Sequence, residues 1–226
     1  MFAPSPASLV EKREFLQLDS DTNSVGIETR HLPCLLLEEF LVHEELTALL
    51  EYTLAHENYF STSQVLSSAE AINSVSEEHR RSRVLADPGH HRDILVARIQ
   101  SYLPRILEAL HLPIFSISRI EAQITASNDG DFFKAHTDNG HSSIDTRLLT
   151  FVYFFYREPR AFTGGELRIY NPTENVIHSQ GSKTITPRQN LLVLFPSSLV
   201  HEILPVQCSS RKFADSRFTL NGWFRR

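Results

Sequence analysis

Little in this chain ties it to an oxidising or membrane setting. Of its 226 residues only two are cysteine, Cys34 and Cys208, and they lie far apart. One distant pair is a poor disulfide framework, so both are read as reduced thiols of a cytoplasmic protein. No run of about 18 apolar residues occurs, so no membrane-spanning helix is expected. The opening MFAPSPASLVEKREF has no basic segment leading into an apolar one, so no secretory leader is expected. Excess positive charge is missing as well. A net charge of −5 gives no general attraction to nucleic acid or to an acidic bilayer. No internal repeat and no composition break marks a second domain, and residues 1–226 are expected to form one.

What is present suits a soluble globular core. Hydrophobic residues make up 41% and charged residues 22%, and 15 phenylalanines supply apolar volume. Residues 1–28 mix Pro, Ser, Asp and Thr and read as a loose arm. Residues 29–112 read as helical support and a lid region. The apolar segment LPCLLLEEFL leads into a helix, where Leu46, Leu49, Leu50 and Leu54 recur at helical spacing. Ser-rich, aperiodic residues 61–78 read as a mobile loop and a candidate lid over an active-site mouth. A second helix is expected from about 90 to 110, with Leu95, Ile99, Tyr102, Ile106 and Leu110 on one side and a kink at Pro104.

After His111 the texture becomes β-rich. Short runs at 114–125, 148–156, 166–170, 190–195 and 217–224 are separated by turn signals such as Asn128-Asp129-Gly130 and Gly164-Gly165. Helices first and strands after imply an α+β, mainly β fold, with the helices packed on a sandwich or barrel at 113–226. Gly164-Gly165 reads equally as a plain hairpin turn or as a close backbone approach to a site.

The segment GDFFKAHTDNG carries His136 and Asp138 two residues apart. On a strand, period two would put both on one face. His201, after the apolar strand NLLVLF and the turn PSSLV, supplies a third ligand. Two imidazoles and one carboxylate form the facial triad that binds non-haem iron(II) and leaves coordination positions open. The pair alone is weak evidence, since a turn aspartate capping the backbone beside a surface histidine looks the same. A second signal is Arg217 in SRFTLNGWF. Its planar guanidinium can grip a carboxylate with two parallel N–H bonds, and Thr219 points the same way on a strand. An ordinary strand arginine paired with a surface glutamate is the bland reading.

In the order GDFFKAHTD, RLLTFVYFF, FTGGELRIY, LLVLFPSSLVHEILPV and RFTLNGWF, residues 120–224 resemble the prolyl 4-hydroxylase-like 2-oxoglutarate/Fe(II)-dependent dioxygenases. The resemblance implies a double-stranded β-helix, or jelly roll, with N-terminal helices packed on one sheet. It implies Fe(II) as cofactor, with 2-oxoglutarate and O2 as cosubstrates. The implied reaction couples oxidative decarboxylation of 2-oxoglutarate, to succinate and CO2, with hydroxylation of a substrate C–H bond. By motif position His136, Asp138 and His201 carry over as metal ligands and Arg217 as the clamp on the distal carboxylate. Arg211 competes for the clamp role, but it sits in a polar loop whereas Arg217 begins a strand. Relatives often hold the cosubstrate with a tyrosine, and none is assignable here: Tyr153 and Phe154 face opposite sides of their strand, and a one-residue slip exchanges them.

Three functions compete: a hydroxylase acting on a prolyl or other residue of a peptide or protein, a small-metabolite dioxygenase, and a metal-binding jelly roll without catalysis. The triad with Arg217 argues against the last. Asp138 argues for hydroxylation, because related halogenases lack the metal carboxylate. Related repair demethylases carry a second arginine shortly after the clamp; Trp223 stands here instead, and nucleic acid is not expected as a partner. Arg80, Arg81 and Arg83 follow the Ser-rich loop and read either as a solvated face or as a substrate entrance favouring an acidic or phosphorylated partner.

Overall fold

The computed structural model describes residues 32–63, 79–172 and 181–226. The arm at 1–28 and all but the first three residues of the 61–78 loop lie outside the described residues, and with them the lid reading. Leu32–Arg226 fall in one compact unit.

Two antiparallel sheets face one another. The larger orders its strands β1(Leu35–Leu37), β11(Leu191–Pro196), β7(Arg147–Phe155), β14(Arg217–Arg225), β5(Arg119–Ser127), β4(Arg83–Leu85) and β2(Ser61–Thr62). The smaller orders β10(Ser182–Ile185), β9(Leu167–Tyr170), β12(His201–Ile203), β6(Phe132–His136) and β3(Arg80–Arg81). A third ribbon joins β13(Val206–Gln207) to β8(Thr163–Gly164). Two helices complete the described fold, α1(His43–Ala55) and α2(His90–Ala109).

The run RLLTFVYFF is apolar without alternation because both faces of its strand are covered. Phe151, Tyr153 and Phe155 join a core with Leu46 and Leu49 of α1 and Leu95, Ile99 and Ile106 of α2. Val152 and Phe154 point the other way and pack with Leu167 and Ile169 of the smaller sheet. Strand β11 splits likewise: Leu192 and Leu194 face the helices, while Leu191, Val193 and Phe195 fill the space between the sheets. Helices on one sheet of a mainly β jelly roll is the architecture expected from the sequence.

The helix α2 spans His90–Ala109 with Pro104 inside it, which leaves the Gln100 carbonyl without its usual N–H donor. Some other local expectations are corrected. The first strand of the β-rich half begins at Arg119 rather than 114, and Ile114 is 89% exposed. Ser61–Thr62 are not loop; they pair with β4, and Ser63 lies buried beside Ser82, whose hydroxyl donates to the Ser63 hydroxyl at 3.0 Å. Within LPCLLLEEFL, Leu35–Leu37 form a strand paired with β11 before the chain enters α1.

Candidate metal and cosubstrate site

Strand pairing brings the distant motifs together. His201 on β12 stands directly opposite His136 on β6, with ring centroids 4.3 Å apart. The backbone reverses just after β6, so Asp138 lies past the strand end rather than on it. A turn, and not the alternation of a strand expected for the pair, carries the carboxylate to the histidines. Its N–H donates to the Ser197 carbonyl at 2.9 Å. The Thr150 hydroxyl donates to its Oδ2 at 2.8 Å, and Thr150 and Ser197 hydroxyls meet at 2.9 Å.

The three side chains offer ligand atoms that all lie within 4.8 Å of one another. His136 Nε2 is 3.7 Å from Asp138 Oδ1, and His201 Nε2 is 3.4 Å from Oδ2. Each imidazole turns its Nδ1 to a backbone carbonyl, Lys134 at 2.8 Å and Leu199 at 2.9 Å. A carbonyl only accepts, so Nδ1 carries the proton and Nε2 presents a lone pair to the cluster. Phe133 stacks on His136 at 3.5 Å between centroids and Phe195 meets His201 edge-on at 4.8 Å, which fixes both rings.

Electrostatics hold the donor forms. Burial, reinforced by the neighbouring His201, pushes the His136 pKa below its ordinary value and keeps the ring neutral. Burial works to raise the pKa of Asp138, but His201, His136 and the hydrogen bond from Thr150 outweigh it and keep the carboxylate ionised. The Trp223 indole N–H contributes in the same direction although it falls short of hydrogen-bond geometry, and it has no partner among the described residues.

Arg217 lines the same pocket and is 1% exposed. Its guanidinium lies 4.8 Å from the Phe154 ring, and neither Nε nor Nη2 has a hydrogen-bond partner among the described residues. Burial pulls its pKa down to about 9, so it remains charged at neutral pH. Gly165 permits this placement: at φ +70° a Cβ there would come within 2.6 Å of Arg217 Cδ. The glycine pair therefore serves a close approach as well as a turn. Thr219 lines the pocket two residues on, beside Asn221. Arg211 does not line this pocket. Its side chain is 78% exposed and bound to Asp129 at 3.1 Å, on another face. The tyrosine question resolves against Tyr153, whose hydroxyl donates to Asn190 Oδ1 at 2.8 Å amid the helix-side core, while Phe154 faces Arg217.

The arginine run spans two strands, β3 of the smaller sheet and β4 of the larger. Arg80 lines the pocket. Arg81 and Arg83 do not, correcting their entrance reading: Arg81 pairs with Asp131 and Arg83 with Glu57, because alternate residues of an extended chain point to opposite faces. Sequence reasoning missed Thr150 and Ser197 and the polar ladder Ser127, Thr125 and Gln123, which stand opposite Arg217, Thr219 and Asn221. Polar residues at every second position of two otherwise apolar strands were the available signal.

Residues 122–225 match the family model of the 2OG-Fe(II) oxygenase superfamily. A PKHD-type hydroxylase from Synechocystis sp. is 45% identical over 132 residues, which is 57% of this chain and 44% of that protein. The chain thus spans less than half the length of this curated relative. In fold it is similar to a Pseudomonas putida prolyl-4-hydroxylase, with TM-score 0.61, 22% identity and coverage of 87% of this chain and 94% of that one. It is likewise similar to a Trichoplax adhaerens prolyl hydroxylase solved with a hypoxia inducible factor peptide fragment, with TM-score 0.63, 18% identity and coverage of 86% and 84%. The match to the 2OG-Fe(II) oxygenase superfamily model is confined to residues 122–225, a little under half of the chain. The family implies Fe(II), 2-oxoglutarate and O2, and the residues present fit: a two-histidine, one-carboxylate donor set, and a buried guanidinium with two unused N–H groups in the same pocket.

Proposed function

We propose that this chain is a 2-oxoglutarate- and O2-dependent hydroxylase acting on a C–H bond, of a prolyl or other residue in a peptide or protein. The observation that carries the reading is the conjunction, in one pocket, of the His136–Asp138–His201 cluster with the orphaned buried guanidinium of Arg217. When bound, Fe(II), 2-oxoglutarate and O2 supply the oxidising chemistry, yielding succinate, CO2 and a hydroxylated substrate.

The chain's own residues bind, orient and exclude water. His136 Nε2, His201 Nε2 and the Asp138 carboxylate are the metal donors, with Thr150 holding Asp138 Oδ2. Arg217, with Thr219 beside it, is the seat of the cosubstrate's distal carboxylate; its burial beside Phe154 strengthens that pairing by keeping water away. Apolar walls from Phe132, Phe133, Leu167 and Ile203 shelter the reacting region. A peptide substrate is favoured by the peptide held by the Trichoplax neighbour.

Succinate formation from 2-oxoglutarate, measured with a library of proline-containing peptides against a metabolite panel, tests the reading. Peptide-stimulated succinate is expected. Stimulation by metabolites alone would move the substrate class to small molecules. No 2-oxoglutarate binding at all would leave a metal-binding jelly roll.

A further inference from the structure

Arg80 has no task in the site as described, yet it is built into it. It opens β3, directly opposite Phe133 on β6, and its guanidinium lies 4.8 Å from the Phe133 ring centroid. Phe133 in turn stacks on His136. Arg80 therefore sits one ring away from a proposed metal ligand, in the wall of the same pocket. Its Nε donates to Ser82 Oγ at 3.1 Å, and Ser82 donates on to Ser63, so the stem is anchored. Among the described residues no carboxylate pairs with it, whereas Arg81 and Arg83 on the opposite face both have one. Asp138 acts on it only through space, and burial brings its pKa down to about 10, leaving it charged at neutral pH.

A charged guanidinium held in a pocket wall without a carboxylate gains a charge-assisted pair when an anion arrives. The pocket holds two arginines that no carboxylate pairs with among the described residues, at separate places in its wall. The cosubstrate's distal carboxylate answers Arg217. We propose that Arg80 binds a carboxylate of the substrate itself, and so selects an anionic substrate placed over Phe133 beside the metal centre. Resting on the hydroxylase reading, this identifies the group the substrate presents: a terminal carboxylate or an acidic side chain near the hydroxylated carbon.

Trp223, the chain's one tryptophan, lines this pocket and reports occupancy by fluorescence without turnover. The test titrates paired probes into anaerobic protein loaded with Mn(II) and 2-oxoglutarate. N-acetylproline is compared with N-acetylprolinamide, a Pro-terminated tetrapeptide acid with its amide, and an Asp-containing peptide amide with its Asn counterpart. The first two pairs report a terminal carboxylate, free or peptide-borne, and the third a side-chain one. At least one acid is expected to bind about tenfold or more tighter than its neutral twin, about 1.4 kcal/mol. Arg80→Gln should erase that preference and Arg80→Lys should recover part of it. Retained 2-oxoglutarate affinity in Arg80→Gln shows that the variant is folded and that Arg80 is not a cosubstrate clamp. No acid preference in any pair, or loss of 2-oxoglutarate binding in Arg80→Gln, overturns this proposal while leaving the hydroxylase reading standing. Wild-type protein that binds no 2-oxoglutarate overturns the hydroxylase reading instead, and this proposal with it.

Discussion

Replacing Arg217 by methionine keeps an unbranched apolar stem, shortened by the guanidinium, and removes the charge and the N–H groups. Two of those groups, Nε and Nη2, are buried and unpartnered, and the residue is 1% exposed. A carboxylate arriving there gains charge-assisted hydrogen bonds contributing on the order of 1.5–3 kcal/mol each. Taking the low end for two bonds gives about 3 kcal/mol, or roughly a hundredfold in affinity. Arg217→Met should therefore raise the 2-oxoglutarate Kd about 100-fold in calorimetric titration of anaerobic Mn(II) protein. Metal affinity should hold, since Arg217 offers no metal ligand. Without cosubstrate the variant should melt no lower than wild type, because an uncompensated buried charge is lost with the side chain. Cosubstrate at about 100 times its Kd should stabilise wild type by about 2.7 kcal/mol, raising Tm by roughly 5–10 °C for a chain of this size. At the same concentration the variant should show little shift. Arg211→Ala is the control, expected to be neutral since that side chain is 78% exposed. If Arg211→Ala loses 2-oxoglutarate and Arg217→Met keeps it, the assignment of the clamp is wrong. If Arg217→Met unfolds the protein with no change in cosubstrate affinity, the residue's role is structural.

Three further outcomes are expected. His136→Ala, Asp138→Ala and His201→Ala should each lose most bound iron in mass-spectrometric metal analysis, and full occupancy in any one would remove that residue from the ligand set. Thr150→Val keeps the shape but removes the donor to Asp138 Oδ2, so iron affinity should drop about 10- to 100-fold, with a near-native circular dichroism spectrum. A structural pH dependence follows from His136 and His91, both held below the ordinary histidine pKa by burial, with His201 and His90 respectively adding to it. Below about pH 6.5 the unfolded chain takes up protons that these folded rings refuse, so stability should fall as pH falls, by about 1.4 kcal/mol per pH unit for each such ring. Urea unfolding of metal-free protein between pH 7 and 5 should show that slope, and His136→Gln should lessen it; an unchanged slope would mean that His136 protonates freely in the folded site.

Much of the site was legible because its chemistry demands rare residue types at set places in a β-rich order. His136, Asp138, His201 and Arg217 could be chosen from the residues around them, and the helices could be placed from the spacing of Leu46, Leu49, Leu95 and Ile99. These are local facts, carried by periodicity and by turn residues. The sequence by itself also determined the fold class, since short aromatic-rich apolar runs such as 148–156, set between turn residues, suit strands buried on both faces. Tertiary structure decided what depends on register and on facing. It set His201 against His136 by pairing two distant strands, and it delivered Asp138 by a turn that the alternation of a strand would not have supplied. It turned Phe154, not Tyr153, toward Arg217. It also sent Arg80 into the pocket and its neighbours Arg81 and Arg83 out of it. A shift of one residue in a strand reverses every side chain it carries, and only the pairing partners across the sheet fix that choice.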